Sequence, residues 1–175
     1  METSQVIIRA PELEDAEAFL EAVHRSRELH ASWIHPPLTA RDYELYLERF
    51  ETGENVSRLV CHSQTNELVG LINLNNIIRG FFQNSFLGFY AFSPHQGTGL
   101  MQRGFRLVLT EAFGPLELHR VEANIQPDNQ ASINFVRRAG FRKEGYSPRY
   151  LRIAGSWKDH ERWALLAEDF QPSTA

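Results

Sequence analysis

The most informative segment of the chain reads Phe92-Ser-Pro-His-Gln-Gly-Thr-Gly-Leu-Met101. An apolar, strand-like run ends at Phe92, and a helical pattern extends from Gly97 to Phe113, so the segment predicts a strand joined to a helix by a glycine-containing turn. The first N–H groups of a helix lack partners within it and attract anions, and glycine lets a phosphate approach the backbone closely. The segment therefore indicates a candidate phosphate-binding loop.

Two common nucleotide-binding loops do not fit this segment. A dinucleotide-binding loop needs a third glycine after Gly97-Thr-Gly99, but Leu100-Met-Gln102 follows instead. A P-loop needs a Gly-Lys-Ser/Thr sequence, which does not follow either. A two-glycine turn that binds nothing is the structural alternative.

A second segment, from Arg120 to Phe141, also joins a strand pattern to a helix pattern. Pro127 interrupts the strand, Asp128 or Asn129 suits the N-cap position, and Gly140 suits the residue after the helix. Taken alone, this pattern indicates ordinary helix capping.

The remaining patterns complete the fold prediction. Three runs before the glycine loop favour an antiparallel meander, and two runs near the C-terminus favour a hairpin that turns at Ala154-Gly155. Together the patterns predict an α/β fold in which a mixed, mostly antiparallel sheet of about seven strands is flanked by about four helices. The predicted strands span 6–9, 58–62, 67–75, 83–92, 119–125, 141–153 and 157–167; two helices follow Pro11 and Thr39, the second ending at Gly53, and two span 97–113 and 129–139.

Length and charge bound the possible functions. The 175 residues and 20.2 kDa suit one domain that spans residues 1–175. The net charge of −4 is unevenly distributed, because residues 1–87 hold 13 acids and 7 bases whereas residues 88–175 hold 9 acids and 11 bases. An anionic ligand near the C-terminal half is one interpretation, and chance segregation on a solvated surface is the other.

Composition also predicts where the protein works. The single cysteine, Cys61, excludes an intramolecular disulfide and a multi-cysteine zinc site, which is typical of a reducing compartment. No apolar run approaches the roughly 20 residues that span a bilayer, and the N-terminus lacks a secretion signal. We expect a cytoplasmic protein without membrane contact, and the negative total charge with no basic stripe argues against nucleic acid as a partner.

The two segments, taken together and in this order, resemble the GNAT superfamily of acyl-CoA-dependent N-acyltransferases. The run from Gln96 to Met101 resembles the family's pyrophosphate loop, although a small residue usually ends that motif where this chain has Met101. Asn129 and Ser132 match the Asn-x-x-Ser that lines the pantetheine arm in the family. Ala139-Gly-Phe141 matches the corner after the following helix.

Three further segments are similar to the ribosomal-protein N-terminal (alanine/serine) acetyltransferase branch of that superfamily. They are Trp33 with Pro36, Gly70–Leu74, and the run from Glu144-Gly-Tyr146 through Asp159 to the end of the chain, of which Tyr150–His160 is the most informative part. The resemblance implies direct transfer of acetyl from acetyl-CoA to a primary amine, most specifically a protein N-terminal α-amine, within a ternary complex. It also implies a monomer or a homodimer.

The resemblance also implies which residues bind the acyl donor. Backbone N–H groups near Phe92, where the fourth strand splays from the fifth, would hold the thioester carbonyl. The remaining predicted contacts to acetyl-CoA are Gln96, Gly97, Thr98, Gly99, Leu100 and Met101 at the pyrophosphate, and Asn129 with Ser132 at the pantetheine arm and thiol. We expect no metal, because His30, His35 and His95 lack the spacing of a metal site.

Acetyl transfer needs a group that accepts the amine proton and one that protonates the departing thiolate. Asn124 stands where some family members carry a catalytic Glu, so Glu122, on the same strand face, is the predicted base. Its alternative role is an ion pair with an arginine such as Arg120 or Arg137. Ser132 is the predicted acid, with Tyr90, Tyr146 and Tyr150 as alternatives.

Acceptor-binding residues are harder to assign. Trp33, Tyr43 and Asn124 are the predicted contacts to the acceptor, although two aromatic residues between helices also suit a hydrophobic core. Two other functions remain open at this point. One is acetylation of a small amine, such as a polyamine, an amino acid or an antibiotic; the other is a CoA-binding sensor without turnover.

Overall fold

The computed structural model of the protein describes residues 5–30 and 33–172. Within them, seven strands form one sheet in the order β1-β2-β3-β4-β5-β7-β6, and five α-helices pack beside it. The predicted fold class is confirmed. The strands are β1 Val6–Arg9, β2 Val56–His62, β3 Leu68–Ile78, β4 Asn84–Ala91, β5 Arg120–Ile125, β6 Arg142–Ile153 and β7 Ser156–Leu166; the helices are α1 Ala16–Arg25, α2 Arg27–His30, α3 Ala40–Glu48, α4 Leu100–Phe113 and α5 Gln130–Arg138.

The short helix α2 is absent from the sequence prediction. Ser26 separates it from α1, because the Ser26 hydroxyl donates to the Ala22 carbonyl at 2.6 Å and interrupts the regular helix. The same hydroxyl accepts a hydrogen bond from the Ser93 backbone N–H at 2.9 Å. This serine therefore ties the start of α2 to the loop that follows β4.

Two helix boundaries differ from the prediction. The helix α3 begins as predicted at the N-cap Thr39, whose hydroxyl accepts from the Asp42 N–H, but it ends at Glu48 rather than at Gly53. The helix α4 begins at Leu100 rather than at Gly97, because Gly97 and Gly99 both adopt positive φ. A left-handed residue cannot continue a right-handed helix.

The sheet separates two hydrophobic cores. Alternate residues of β2 face opposite sides, so Leu59 packs with α1 and α3, whereas Val60 packs with α4. The larger core, which includes Phe105 and Val136, lies on the side of α4 and α5. Helices thus cover both faces of the sheet.

The pairing between β4 and β5 is parallel and covers only half of β4. It joins Asn84–Leu87 to Arg120–Ala123, and residues 88–91 continue without a partner on that side. The other neighbouring strands of the sheet pair in antiparallel fashion. A gap therefore opens between the C-terminal ends of β4 and β5.

The longest helix, α4, has 14 residues. Among the described residues, none of the helices has the length and apolar character of a membrane span.

Candidate active site

A cavity of about 730 Å³ lies beside the gap between β4 and β5. Four elements surround it: the end of β4, the glycine loop with the start of α4, the first turns of α5, and α2 with the loop after it. Its lining includes the polar and aromatic side chains of His30, Trp33, Tyr90, Gln96, Asn129 and Ser132. The glycine loop and the start of α5, although about 30 residues apart in the sequence, therefore form one site.

The glycine loop presents a helix N-terminus to this cavity. Gly97 and Gly99 have φ values of +75° and +83°, and a Cβ on either would meet no atom within 4 Å. Backbone conformation rather than space therefore explains the glycines. Gly99 caps α4 without any side-chain hydrogen bond, and the first turn holds no acidic residue, so the helix dipole is uncompensated and suits an anion.

The other loop residues have different surroundings. Gln96, Gly97, Gly99 and Met101 line the cavity, whereas Thr98 and Leu100 do not. The Thr98 hydroxyl donates to the His95 carbonyl at 2.6 Å and fixes the turn. Leu100 is only 9% exposed and packs in the larger core, and its backbone N–H donates to the Thr98 hydroxyl at 3.4 Å.

Met101, the departure from the usual motif, is accommodated by a glycine on another strand. Its side chain is 7% exposed and packs on β3. A Cβ on Gly70 would lie 2.5 Å from Met101 Sδ, so only a glycine at position 70 leaves room for this side chain. The long side chain is thus absorbed into the core.

Asn129 and Ser132 both line the cavity at the start of α5. The Asn129 Oδ1 atom accepts from the Ser132 N–H at 3.1 Å, so Asn129 is the N-cap of the helix. Its Nδ2 group and the Ser132 hydroxyl make no hydrogen bond to other described residues. Capping therefore leaves the Asn129 Nδ2 group and the Ser132 hydroxyl available for a ligand.

Phe92 itself does not offer the predicted free N–H group. Its N–H donates to the Val69 carbonyl of β3 at 2.8 Å, and its ring is fully buried. Because alternate residues of a strand direct their backbone groups to opposite neighbours, Phe89 and Ala91 direct theirs toward the gap. The candidate thioester donors near Phe92 are therefore the N–H groups of Phe89 and Ala91, and not that of Phe92 itself.

Glu122 and Asn124 lie outside the cavity lining. They occupy the face of β5 opposite α4 and α5, and Arg120 Nε lies 2.8 Å from Glu122 Oε1. Arg120 also binds Glu144, and this pairing raises the pKa of Arg120 well above its usual range. The ion pair that was the alternative role for Glu122 is therefore present. The role of Glu122 as a base stays a prediction. Asn124 Oδ1 is buried without a partner among the described residues.

The two aromatic residues that were predicted to contact the acceptor lie in different parts of the structure. Trp33 lines the cavity, whereas Tyr43 is fully buried between α1 and α3. Tyr43 packs against Phe19 at 4.7 Å between ring centroids, and its hydroxyl donates to the Glu12 carbonyl. Tyr43 therefore belongs to the hydrophobic core, because the helical spacing of α3 turns it toward the sheet.

The three tyrosines that are the alternative candidates for the acid also lie in different parts of the structure. Tyr90 lines the cavity, and burial raises its pKa well above the usual value, so the hydroxyl keeps its proton. The Tyr146 hydroxyl donates to Asp159 on the β6–β7 hairpin, and Tyr150 lies on the same hairpin. Neither of these two lines the cavity.

Sequence reasoning missed two polar residues of the cavity wall. His30 is 5% exposed and its Nε2 lies 2.8 Å from the Ala91 carbonyl oxygen; burial lowers the pKa of this imidazole. Gln102 on α4 holds both side-chain amide atoms buried without partners among the described residues. No local pattern marks either residue, since the His30 contact joins positions 61 apart. In residues 5–30 and 33–172, no cluster of His, Cys, Asp and Glu is arranged to hold a metal ion.

Comparison with known proteins places this site in a family context. The family described as "Acetyltransferase (GNAT) domain" matches residues 5–142. "Probable N-acetyltransferase YjcK" of Bacillus subtilis is 38% identical over 124 residues, which cover 71% of this chain and 68% of that protein. The "[Ribosomal protein uS5]-alanine N-acetyltransferase" of Escherichia coli is 37% identical over 106 residues, or 61% of this chain, and the match spans 55% of that protein.

Solved structures share the architecture over almost the whole chain. The ribosomal-protein-S5-alanine acetyltransferase from Vibrio fischeri superposes with a TM-score of 0.84 at 26% identity over 98% of each chain. The spermidine N-acetyltransferase from Vibrio cholerae, solved with CoA and spermine, has a TM-score of 0.80 at 22% identity over 95% of this chain and 98% of that one, which shows the fold alone. Since the family match covers well over half of the sequence, the chain belongs to the GNAT family of acetyltransferases.

Proposed function

We propose that this GNAT N-acetyltransferase transfers acetyl from acetyl-CoA directly to a protein N-terminal α-amine within a ternary complex. The observation that carries the proposal is one cavity that joins an uncompensated helix N-terminus, the unpaired edge of β4, and the Asn129 and Ser132 side chains. An elongated donor with an anionic end and a reactive thioester end matches that sequence of surfaces.

The proposed donor site uses mainly backbone groups. The N–H groups of Gly97, Gly99 and Met101 would bind the pyrophosphate, since those of Thr98 and Leu100 donate within the loop. Gln96 would add a side-chain amide from the same wall. Asn129 Nδ2 would contact an amide of the pantetheine arm where that arm passes along β4. Arg138, the last residue of α5, also lines the cavity and would add a positive charge for the anionic end of the donor.

The reaction has three requirements that this chain meets in different ways. The amine nitrogen attacks the thioester carbon, the C–S bond breaks, and CoA leaves as the thiol once protonated. The N–H groups of Phe89 and Ala91 would stabilise the negative charge that develops on the carbonyl oxygen. The Ser132 hydroxyl, free of other hydrogen bonds, would protonate the departing sulfur, with Tyr90 as the second hydroxyl in the cavity.

We propose that Glu122 accepts the amine proton through water rather than by direct contact. The carboxylate is bound by Arg120 and does not line the cavity, so a direct contact is not supported. Asn124 lies on the same strand face and closer to Asn129, with an unpartnered oxygen that suits an ordered water. The two side chains would form a polar path from the end of β5.

Two observations bear on the acceptor. The wall formed by Leu29, Trp33 and Ile34 is largely apolar, which suits a peptide side chain beside the amine. The relative that acts on ribosomal protein uS5 shares 37% identity over 106 residues, which favours a protein N-terminus. A polyamine is the second candidate, because residues 1–87, which hold α1 to α3, carry 13 acids against 7 bases and would attract a polycation.

The sensor alternative loses one of its two supports. Two features favour that alternative: Met101 in place of the usual small residue, whose side chain could narrow the loop, and Asn124 in place of a carboxylate. Since Gly70 makes room for the Met101 side chain, the loop remains open to the donor.

Thiol release from acetyl-CoA tests the proposed acceptor class. The panel consists of peptides with free N-terminal Ala, Ser or Met, the same peptides with blocked N-termini, and spermidine. We expect release with at least one free peptide and none with its blocked form. Release with spermidine alone would contradict the protein N-terminus as acceptor, and silence with every amine would contradict turnover.

A further inference from the structure

We propose that His30 is a positioning residue that fixes the Ala91–Phe92 peptide of β4 and thereby the N–H groups that bind the thioester carbonyl. The inference rests on the proposed function, since it concerns the acyl donor of that reaction. It gives a role to a buried polar side chain of the cavity wall that neither the capping of α2 nor the donor contacts explain.

His30, the last residue of α2, donates a hydrogen bond to the end of β4. Its Nε2 lies 2.8 Å from the Ala91 carbonyl oxygen, and the side chain is almost fully buried. Because a carbonyl only accepts, Nε2 must carry the proton. Burial lowers the pKa of His30 and favours the neutral ring, whose Nδ1 then has a lone pair rather than a proton.

The Ala91–Phe92 peptide is held from both sides. On one side the Phe92 N–H donates to the Val69 carbonyl of β3 at 2.8 Å. On the other side the Ala91 carbonyl accepts from His30. A peptide unit is planar, so two opposed hydrogen bonds fix its orientation about the strand axis.

His30 occupies the position that a paired strand would otherwise take. The pairing of β4 with β5 ends at Leu87, and the backbone groups of Ala91 face the resulting gap. Without a donor there, the carbonyl would turn toward water and the strand end would become free to shift. The preceding Ala91 N–H faces the same gap, so a fixed carbonyl keeps this donor aimed at the place where charge develops.

Packing alone does not account for a histidine at this position. The ring lies edge-on to Tyr90 and Phe92, with centroid distances of 5.1 Å and 6.1 Å, contacts that a phenylalanine would also make. The Nδ1 atom is buried without a partner among the described residues, which lowers stability relative to an apolar ring. The hydrogen bond from Nε2 is the feature that only a donor side chain supplies.

The experiment compares the wild type with His30→Gln and His30→Phe. Glutamine is neutral and keeps an N–H donor, whereas phenylalanine keeps the ring and loses the donor. Calorimetry without any acceptor gives the affinities for acetyl-CoA and for CoA. We expect His30→Phe to weaken acetyl-CoA binding about fivefold more than CoA binding, and His30→Gln to keep the wild-type ratio within about twofold.

Infrared spectroscopy of the bound donor gives a second measurement. With acetyl-CoA isotope-labelled at the carbonyl carbon, a well-aimed N–H lowers the carbonyl stretching frequency. We expect the band in His30→Phe to move toward that of free acetyl-CoA, while the band in His30→Gln stays near the wild-type position. Thermal unfolding is recorded for each variant, and His30→Met replaces the phenylalanine variant if that protein does not fold.

Two results would overturn the inference. One is a parallel loss of acetyl-CoA and CoA affinity in His30→Phe with an unmoved carbonyl band, and the other is an equal loss in His30→Gln, which would point to ring packing. A wild type that binds neither acetyl-CoA nor CoA would instead contradict the proposed function.

Discussion

At the scale of single residues, Met101 and Gly70 depend on each other. A Cβ on Gly70 would lie 2.5 Å from Met101 Sδ and 2.7 Å from the Tyr90 carbonyl oxygen. Both distances are far inside van der Waals contact, so the side chain and the backbone of β4 would have to shift. The shape of the glycine loop thus depends partly on Gly70, a strand residue 31 positions before Met101.

We expect Gly70→Ala to destabilise the protein by about 1–3 kcal/mol, because the added methyl group overpacks the core beneath the loop. Chemical denaturation measures the change. Gly88→Ala is the matched control on β4, since the nearest atom to its Cβ, Asn75 Nδ2, is 3.3 Å away. Met101→Ala should cost less stability in the Gly70→Ala background than in the wild type, because it removes the contact with Sδ. Equal destabilisation by the two glycine substitutions would contradict this account.

Single residues were predictable where the deciding contact is local. Asn129 and Ser132 lie one helical turn apart, so their spacing alone placed them together at the start of α5. Tyr43 was assigned to the acceptor site although it is core, because helical spacing identifies a packed face without identifying what covers it. The His30 contact with Ala91 depends on the tertiary fold and has no local signature.

At the scale of elements, the glycine loop with α4 carries the proposed donor site. Its strand-turn-helix order was predictable from apolar periodicity and two glycines. The start of α4 moved by three residues because periodicity does not report φ, and Gly97 and Gly99 lie in the left-handed region. The four-residue helix α2 was missed because it is one turn long and is separated from α1 only by Ser26.

We expect Gly99→Asp to weaken acetyl-CoA binding about tenfold or more, because a carboxylate at the N-terminus of α4 repels the pyrophosphate. Calorimetry measures the affinity. Gly99→Asn is the control, since asparagine has the same shape, tolerates positive φ and carries no charge. If both variants bind acetyl-CoA equally weakly, charge repulsion is not the cause. If Gly99→Asp binds acetyl-CoA as tightly as the wild type, the loop is not part of the donor site.

The strand β5 presents the proposed proton path on its face away from α4. We expect Glu122→Gln to lower kcat about tenfold with little change in the KM for acetyl-CoA, because it removes a proton acceptor and leaves the donor site intact. Steady-state kinetics measure both constants. Glu144→Gln is the control, since it removes the other carboxylate bound to Arg120. Equal losses in the two variants would assign Glu122 to the ion pair alone.

At the scale of the whole molecule, the order of the strands creates the site. Strand-like runs bounded by turn residues located all seven strands to within a few residues, but not the early end of the β4–β5 pairing that opens the gap. That end depends on which strands become neighbours in space. The uneven distribution of charge along the sequence corresponds to different helices of the fold. Residues 88–175, which are net positive, contain α4 and α5, whereas residues 1–87, which are net negative, contain α1 to α3.

Mass spectrometry of a peptide product tests the central claim most directly. The wild type is incubated with acetyl-CoA and a peptide that carries a free N-terminal alanine and an internal lysine, and fragmentation locates any added acetyl group. The account predicts one acetyl group on the N-terminal nitrogen in the wild type and much less in Gly99→Asp. Acetylation confined to the lysine, or no acetylation of any free N-terminal peptide while spermidine is acetylated, would contradict it.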